Sequence, residues 1–199
     1  ADCKALMKAA KDKFGAIDIL VNNAGVLDTG LKAIDKYLDE DAEKVIAINE
    51  VGTMQCIRAA LEYMETGASI VNVASVAGYN GGGGAVYVAS KAAIIGITKH
   101  TALLLANKYI RCNAVCPGNF YEGPLWSNPE NGLFLQYLHA GKVPGAKTVE
   151  DVRKYYMDQV PMRKGTGPED VTKAVLYLIE QTCETGQAVP VTGGQVMLS

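Results

Sequence analysis

The sequence lacks an excess of charge of either sign and any cluster of basic residues. Of its 199 residues, 19 are lysine or arginine and 21 are aspartate or glutamate, which gives a net charge of −2. Nucleic acids and anionic membranes attract proteins through concentrated positive charge, so the composition argues against both as partners. Because residues 1–14 form neither an apolar signal core nor a membrane-spanning segment, we expect a cytoplasmic protein.

Histidine is scarce and cysteine is scattered. The two histidines, His100 and His139, lie far apart, whereas a zinc site needs three or four convergent ligands. We therefore predict no metal site. The five cysteines are odd in number and widely spaced, which is not typical of a disulfide framework. Cys112 and Cys116 lie in one predicted strand, about 13 Å apart, which exceeds the reach of a disulfide.

A phosphate-binding Gly-x-Gly-x-x-Gly turn is also missing from the sequence. The glycines of residues 81–84 lack that spacing and do not directly follow a predicted strand. Because glycine tolerates unusual backbone angles, we interpret this run as a permissive loop.

The sequence does contain a regular alternation of strand-like and helix-like segments. Short apolar runs predict strands at residues 17–21, 69–74, 109–116 and 187–191. Helical spacing of apolar residues predicts helices at 1–13, 39–65, 85–106 and 168–180, with shorter ones near 132–140 and 149–159. Such alternation is typical of a parallel sheet with helices on both faces. We therefore predict an α/β fold with a doubly wound parallel sheet, as one domain over residues 1–199 with an insertion at 119–165.

Tyr87 and Lys91 stand four positions apart at the start of a long apolar helix. Residues at this spacing share one helix face, so the lysine cation can stabilise the phenolate in a partly dry site. The pair can then act as a general acid or base near neutral pH. The alternative is an ordinary pair on a helix surface. Three further motifs follow predicted strands, where α/β sheets bind ligands, and they favour chemistry over that alternative. These motifs are Asn23, Ser75 and Pro117-Gly118.

Together these motifs resemble the short-chain dehydrogenase/reductase family over essentially the whole chain. The motifs, in order, are Asn22-Asn23-Ala24-Gly25, Asn49, Ser75, Tyr87-x-x-x-Lys91, Pro117-Gly118 and Thr192-Gly193-Gly194. The resemblance implies a Rossmann-like fold and an oxidoreductase that uses NAD, with NADP as the other possibility. It also implies a small-molecule alcohol or ketone as substrate, and a homodimer or homotetramer.

The resemblance assigns catalytic roles to four residues. Tyr87 would give a proton to the carbonyl oxygen in reduction, or take one from the alcohol in oxidation. Ser75 would hydrogen-bond the same oxygen. Lys91 would lower the pKa of Tyr87 and hold the nicotinamide ribose. Asn49 would position a water that links Lys91 to solvent, and the alternative for Asn49 is an exposed surface amide.

The resemblance also implies which residues line the cofactor cleft. They are Asn23, Ala24, Gly25, Tyr87, Lys91, Pro117, Gly118 and Phe120. The alternative for residues 22–25 is a plain turn, since asparagine and glycine dominate turns. After Pro117-Gly118 the family commonly has a threonine that contacts the cofactor carboxamide. This chain has Asn119-Phe120-Tyr121 instead, so that contact stays open.

A second departure concerns the family's first strands and helices. The resemblance implies that about 60 residues, with the glycine-rich turn that holds the pyrophosphate, are lacking at the start of the fold. We therefore expect the chain as it stands to bind dinucleotide weakly. We also expect the strand at residues 17–21 to present an unpaired edge.

The substrate is indicated only by the C-terminal third. Residues 117–122, 160–165 and 185–197 are similar to the sorbitol-6-phosphate 2-dehydrogenase branch of the family, which implies a sugar-alcohol phosphate or another polyol. Glu122, with Ser75 and Tyr87, would contact the substrate, and a phosphate would meet Lys142, Lys147 or Arg153. The alternatives are a 3-oxoacyl or other ketone reductase, and a truncated form that acts only as an oligomer scaffold.

Overall fold

The computed structural model describes residues 2–28 and 30–197, and the chain divides into two compact units. The first unit holds the chain up to Cys116 together with Lys173–Val189, and the second holds Pro117–Thr172 and the chain from Pro190 onward. The single domain over residues 1–199 and the insertion at 119–165 stay predictions.

A four-stranded sheet forms the centre of the fold. Its strands are β1 (Ile19–Asn22), β2 (Ser69–Val73), β3 (Arg111–Pro117) and β4 (Ala188–Val191), in the order β1-β2-β3-β4. The pairs β1–β2 and β2–β3 are parallel. The predicted parallel α/β arrangement is therefore confirmed. As expected, β1 lies at an edge of the described sheet, and its Ile19 and Val21 side chains are exposed.

Nine α-helices occur in the described part of the chain. They are α1 (Asp2–Phe14), α2 (Asp39–Val45), α3 (Thr53–Ala60), α4 (Ala77–Asn80), α5 (Ala85–Leu105), α6 (Pro124–Ser127), α7 (Leu133–His139), α8 (Val149–Asp158) and α9 (Pro168–Glu180). Every helix predicted from periodicity has a counterpart among them. The single turns α4 and α6 were not predicted, because four residues are too few to show a helical period.

The predicted helix over residues 39–65 differs from the structure in two ways. The α-helical pattern stops at Ala60, and the segment Ile46–Gly52 between α2 and α3 is a π-helix. At the start of α3, the Thr53 hydroxyl donates a hydrogen bond to the carbonyl of Asn49, in this segment, at 2.7 Å. Such π-helical segments are rare and frequently mark functional sites. Residue periodicity cannot reveal this change of winding, because the apolar positions continue through it.

Helix α5 is apolar because it packs inside the first unit. Its length and composition would also suit a membrane span, but residues such as Ile94, Ile95 and Leu105 are buried in the protein. A core helix has the same composition as a spanning one. One core cluster joins Leu105 to side chains of α1, α3 and the strands, and another joins Ile94 and Ile95 to Ala114 and neighbouring residues.

The second unit has an aromatic core of its own. Trp126 lies at its centre, with ring centroids 5.0 Å from both Tyr121 and Phe134 and 5.3 Å from Tyr156. Ring pairs at these separations are favourable beyond their burial alone. The second unit therefore folds around its own aromatic rings.

Gly78 allows α4 to lie directly against the helix that carries Tyr87. A Cβ at Gly78 would stand 2.8 Å from the carbonyl carbon of Lys91 and 2.9 Å from the amide nitrogen of Ala92, and both are backbone atoms. We expect Gly78→Ala to lower the free energy of unfolding by about 1–3 kcal/mol, because α4 must move away.

Gly52→Ala is the matched control for this prediction. A Cβ at Gly52 would meet only the Ala47 carbonyl oxygen, at an ordinary 3.5 Å. Alanine favours helix over glycine by about 0.5–1 kcal/mol, so this variant should be neutral or more stable. Urea unfolding of both variants measures the difference, and equal stabilities would contradict the close packing at Gly78.

Candidate active site

Tyr87 lies in the first turn of α5, and Ser75 lies two residues after the end of β2. Burial of the phenol raises the pKa of Tyr87, and the hydrogen-bonding influence of the Ser75 hydroxyl opposes this with a smaller effect. The lowered pKa expected from the sequence is therefore not found, because burial disfavours the phenolate. The phenol of Tyr87 is therefore protonated at neutral pH.

Lys91 is buried one turn after Tyr87, with only 4% of its surface exposed. Its Nζ donates a hydrogen bond to the Val73 carbonyl at 2.8 Å and lies 5.6 Å from the centroid of the Tyr87 ring. Burial lowers the pKa of Lys91 from 10.5 to about 8, and the electrostatic interaction with Cys116 opposes this. The amine therefore titrates close to physiological pH, and its cation lies beside the phenol.

Asn49 is fully buried in the π-helical segment. Its Oδ1 accepts from the Val26 amide at 2.9 Å, and its Nδ2 donates to the Val26 carbonyl at 3.0 Å and to the Ser90 hydroxyl at 2.9 Å. The alternative of an exposed surface amide is therefore wrong. The side chain instead connects the loop after β1 to helix α5.

The loop after β1 brings Gly25 beside the catalytic candidates, while Asn23, Ala24 and Gly25 themselves stay exposed. A Cβ at Gly25 would lie 3.4 Å from both Asn49 Oδ1 and Lys91 Nζ. Because Gly25 has no side chain, a ligand can approach its backbone closely. Backbone of this kind next to a lysine ammonium fits the ribose and nicotinamide half of a dinucleotide. Asn23, Ala24, Gly25, Tyr87 and Lys91 are thus the residues of the first unit that can hold it.

The other predicted site residues belong to the second unit. Gly118 donates its amide to the Val191 carbonyl at 2.8 Å, and Phe120 is exposed. Glu122 is exposed and forms a salt bridge with Arg153. The cofactor contacts of Pro117, Gly118 and Phe120 and the substrate contact of Glu122 stay predictions.

The three candidate phosphate-binding residues have separate surroundings. Arg153 forms the salt bridge with Glu122, and Lys142 Nζ lies 4.3 Å from the centroid of the Tyr137 ring. Lys147 donates its backbone amide to Asp151. The three therefore do not assemble into one cationic cluster.

Two residues that belong to the geometry of the site were not identified from the sequence. Ser90 contacts the Asn49 amide, and Gly78 packs on the backbone of Lys91. Ser90 lies inside the Tyr87-x-x-x-Lys91 spacing, so its position was a possible signal. Its partner is 41 residues away, and only the tertiary structure brings the two together.

Comparison with known proteins is consistent with this geometry. Residues 1–129 match the family model described as short chain dehydrogenase. The chain is 35% identical over 199 residues to a 3-oxoacyl-(acyl-carrier-protein) reductase of Thermotoga maritima, which covers 98% of this chain and 72% of that protein. The chain belongs to the short-chain dehydrogenase family.

Solved structures of the family resemble this one closely. Sorbitol-6-phosphate 2-dehydrogenase of Erwinia amylovora superposes with a TM-score of 0.88 at 29% identity, covering 98% of this chain and 75% of that one. A NAD+-bound xylitol dehydrogenase gives 0.78 at 28% identity, covering 96% and 74%. The protein is thus an NAD(P)-dependent oxidoreductase with a Rossmann-like fold that acts on CH–OH or C=O groups.

The buried amine of Lys91 predicts how stability depends on pH. Its folded pKa of about 8 lies below 10.5, so between these values the unfolded chain binds more protons than the folded one. Stability supplied by this group therefore rises with pH across that window. Between pH 7 and pH 10.5, the free energy of unfolding of the wild type should therefore rise by up to about 3 kcal/mol relative to that of Lys91→Met. One pKa unit corresponds to about 1.4 kcal/mol.

Urea unfolding of both proteins at several pH values measures this gap. Groups that do not interact with Lys91 titrate equally in the two proteins, so their contributions cancel in the difference; Cys116, which interacts with Lys91, is the exception. A gap that stays constant from pH 7 to pH 10.5 would mean that the amine is not desolvated.

Proposed function

We propose that this oxidoreductase interconverts a polyol, in particular a sugar-alcohol phosphate, and the corresponding ketose with NAD. The observation that carries this proposal is the likeness to sorbitol-6-phosphate 2-dehydrogenase, at a TM-score of 0.88 over 98% of the chain. The resemblance of the C-terminal third to the same branch supports it. The exposed Glu122 carboxylate would accept hydrogen bonds from substrate hydroxyls.

The proposed mechanism assigns proton transfer to the Tyr87 phenol. In ketone reduction Tyr87 gives its proton to the carbonyl oxygen, while Ser75 donates a hydrogen bond to the same oxygen. The bound nicotinamide supplies or accepts the hydride. In alcohol oxidation the phenolate takes the hydroxyl proton. Because burial raises the pKa of Tyr87, reduction is favoured near neutral pH and oxidation gains as the pH rises.

Lys91 contributes charge and position in this proposal. Its ammonium would bind the ribose hydroxyls and stabilise the Tyr87 phenolate. With a pKa of about 8, the amine is mostly cationic at neutral pH and loses its charge above that value. Asn49 would keep the neighbouring loop in place.

A second candidate is a 3-oxoacyl reductase. The 35% identity to the Thermotoga maritima reductase favours it. The proton-transfer chemistry would be the same, but the substrate would be a β-keto thioester without a row of hydroxyl groups.

Turnover assays separate the two candidates. We expect sorbitol 6-phosphate with millimolar NAD to be oxidised at least about tenfold faster than acetoacetyl thioester is reduced with NADPH, a difference equivalent to about 1.4 kcal/mol. Brisk thioester reduction without polyol turnover would refute the polyol proposal. Tyr87→Phe is the control, since it removes the transferred proton and should abolish both activities.

We also propose that the protein is a homodimer or homotetramer, and a cytoplasmic location remains an expectation. Helix α5 presents small, exposed residues such as Ala89, Ala92 and Gly96, followed by exposed Leu103 and Leu104. Small side chains let two helices approach closely. The sequence-based alternative of a catalytically inactive scaffold uses the same face.

Sedimentation measures this assembly directly. We expect the mass of a dimer or tetramer for the wild type and a smaller species for Gly96→Arg, because a long charged side chain would separate the helices. A wild-type monomer at micromolar concentration would contradict the proposal. Assembly without turnover on any alcohol would favour the scaffold.

A further inference from the structure

Ser90 is fully buried in α5 between Tyr87 and Lys91. Its hydroxyl donates a hydrogen bond to the Tyr87 carbonyl at 2.8 Å. The same oxygen accepts a hydrogen bond from Asn49 Nδ2 at 2.9 Å. The Ser90 hydroxyl therefore donates one hydrogen bond within α5 and accepts one from the π-helical segment.

The Asn49 amide carries this connection to the loop after β1. Its oxygen and nitrogen bind both the N–H and the carbonyl of Val26. The preceding residue is Gly25, whose Cβ position would be 3.4 Å from both Asn49 Oδ1 and Lys91 Nζ. Three elements that are distant in sequence thus meet through two side chains, Ser90 and Asn49.

Loss of the Ser90 hydroxyl would leave Asn49 held only by the loop. Bulk water cannot readily replace the lost acceptor, because both Ser90 and Asn49 are fully buried. An unsatisfied buried donor is costly, so the amide and the attached loop would shift or gain mobility. The Gly25–Val26 peptide would then lose its fixed distance from Lys91.

We propose that Ser90 is a positioning residue that acts through Asn49 to hold the Gly25–Val26 peptide against Lys91, where the nicotinamide ribose of the cofactor binds. This inference rests on the proposed roles of Gly25 and Lys91 in cofactor binding. Ser90 itself contacts neither substrate nor cofactor in this scheme. Its effect is on the affinity for the dinucleotide.

The same helix offers a matched control at Thr98. Thr98 is also fully buried, donates to a carbonyl of its own helix, that of Ile94, at 2.8 Å, and accepts from an asparagine amide, Asn72 Nδ2, at 2.9 Å. Ser90→Ala and Thr98→Val therefore remove equivalent hydrogen bonds two turns apart. Thr98→Val leaves the connection to Asn49 intact.

Amide hydrogen exchange of the full chain tests the inference without cofactor. We expect Ser90→Ala to speed exchange of the Val26 amide about tenfold, as for the loss of one hydrogen bond, while Thr98→Val leaves it unchanged. Urea unfolding of both variants first establishes that their global stabilities are comparable. Equal acceleration of Val26 exchange in the two variants, or none in either, would overturn the inference.

Kinetics provide the second readout. Ser90→Ala should raise the KM for the dinucleotide about three- to tenfold with little change in the KM for the alcohol, and Thr98→Val should change neither. In the Asn49→Ala background, Ser90→Ala should add less than about a twofold change, because the two act as one unit. Full additivity, or an effect on the alcohol KM alone, would refute the positioning role. Absence of turnover in the wild type would count against the proposed function, and the exchange result would still decide this inference.

Discussion

The desolvated amine of Lys91 is the constraint on which the site depends. Burial alone would drive this side chain out of the protein or neutralise it. The hydrogen bond to the Val73 carbonyl opposes this and fixes α5 against the end of β2. Because Tyr87 lies one turn earlier, the same contact sets the phenol beside Ser75. A buried charge that costs stability thus fixes the position of the candidate proton-transfer group, Tyr87.

The polar groups around Lys91 are held by one another. Asn49 occupies a π-helical turn and binds both backbone groups of Val26, and Ser90 ties that amide to the catalytic helix. In such networks each buried polar group is the hydrogen-bond partner of another. Removing one of them leaves its partner without a hydrogen bond, which destabilises the protein. This is why Asn49 persists in mid-helix, where asparagine has poor intrinsic propensity. The local cost of π-helical winding is offset by the contacts that the winding permits.

The candidate proton-transfer residues and the candidate substrate residue Glu122 belong to different units of the chain. The candidate proton-transfer residues Ser75, Tyr87 and Lys91 belong to the first unit. Glu122 and the aromatic core around Trp126 belong to the second.

The sequence by itself determined the alternation of strands and helices that is typical of a parallel α/β sheet, and the pairing of Tyr87 with Lys91, because these follow from local periodicity and spacing. It did not determine the π-helical segment, the burial of Asn49, or the direction in which the pKa of Tyr87 shifts. Ser90 and Asn49 are 41 residues apart in the sequence, and Gly78 contacts Lys91 where two helices pack together. Neither contact can therefore be recognised from the local sequence. Only tertiary structure decides such contacts, since desolvation and side-chain partners depend on which elements pack together.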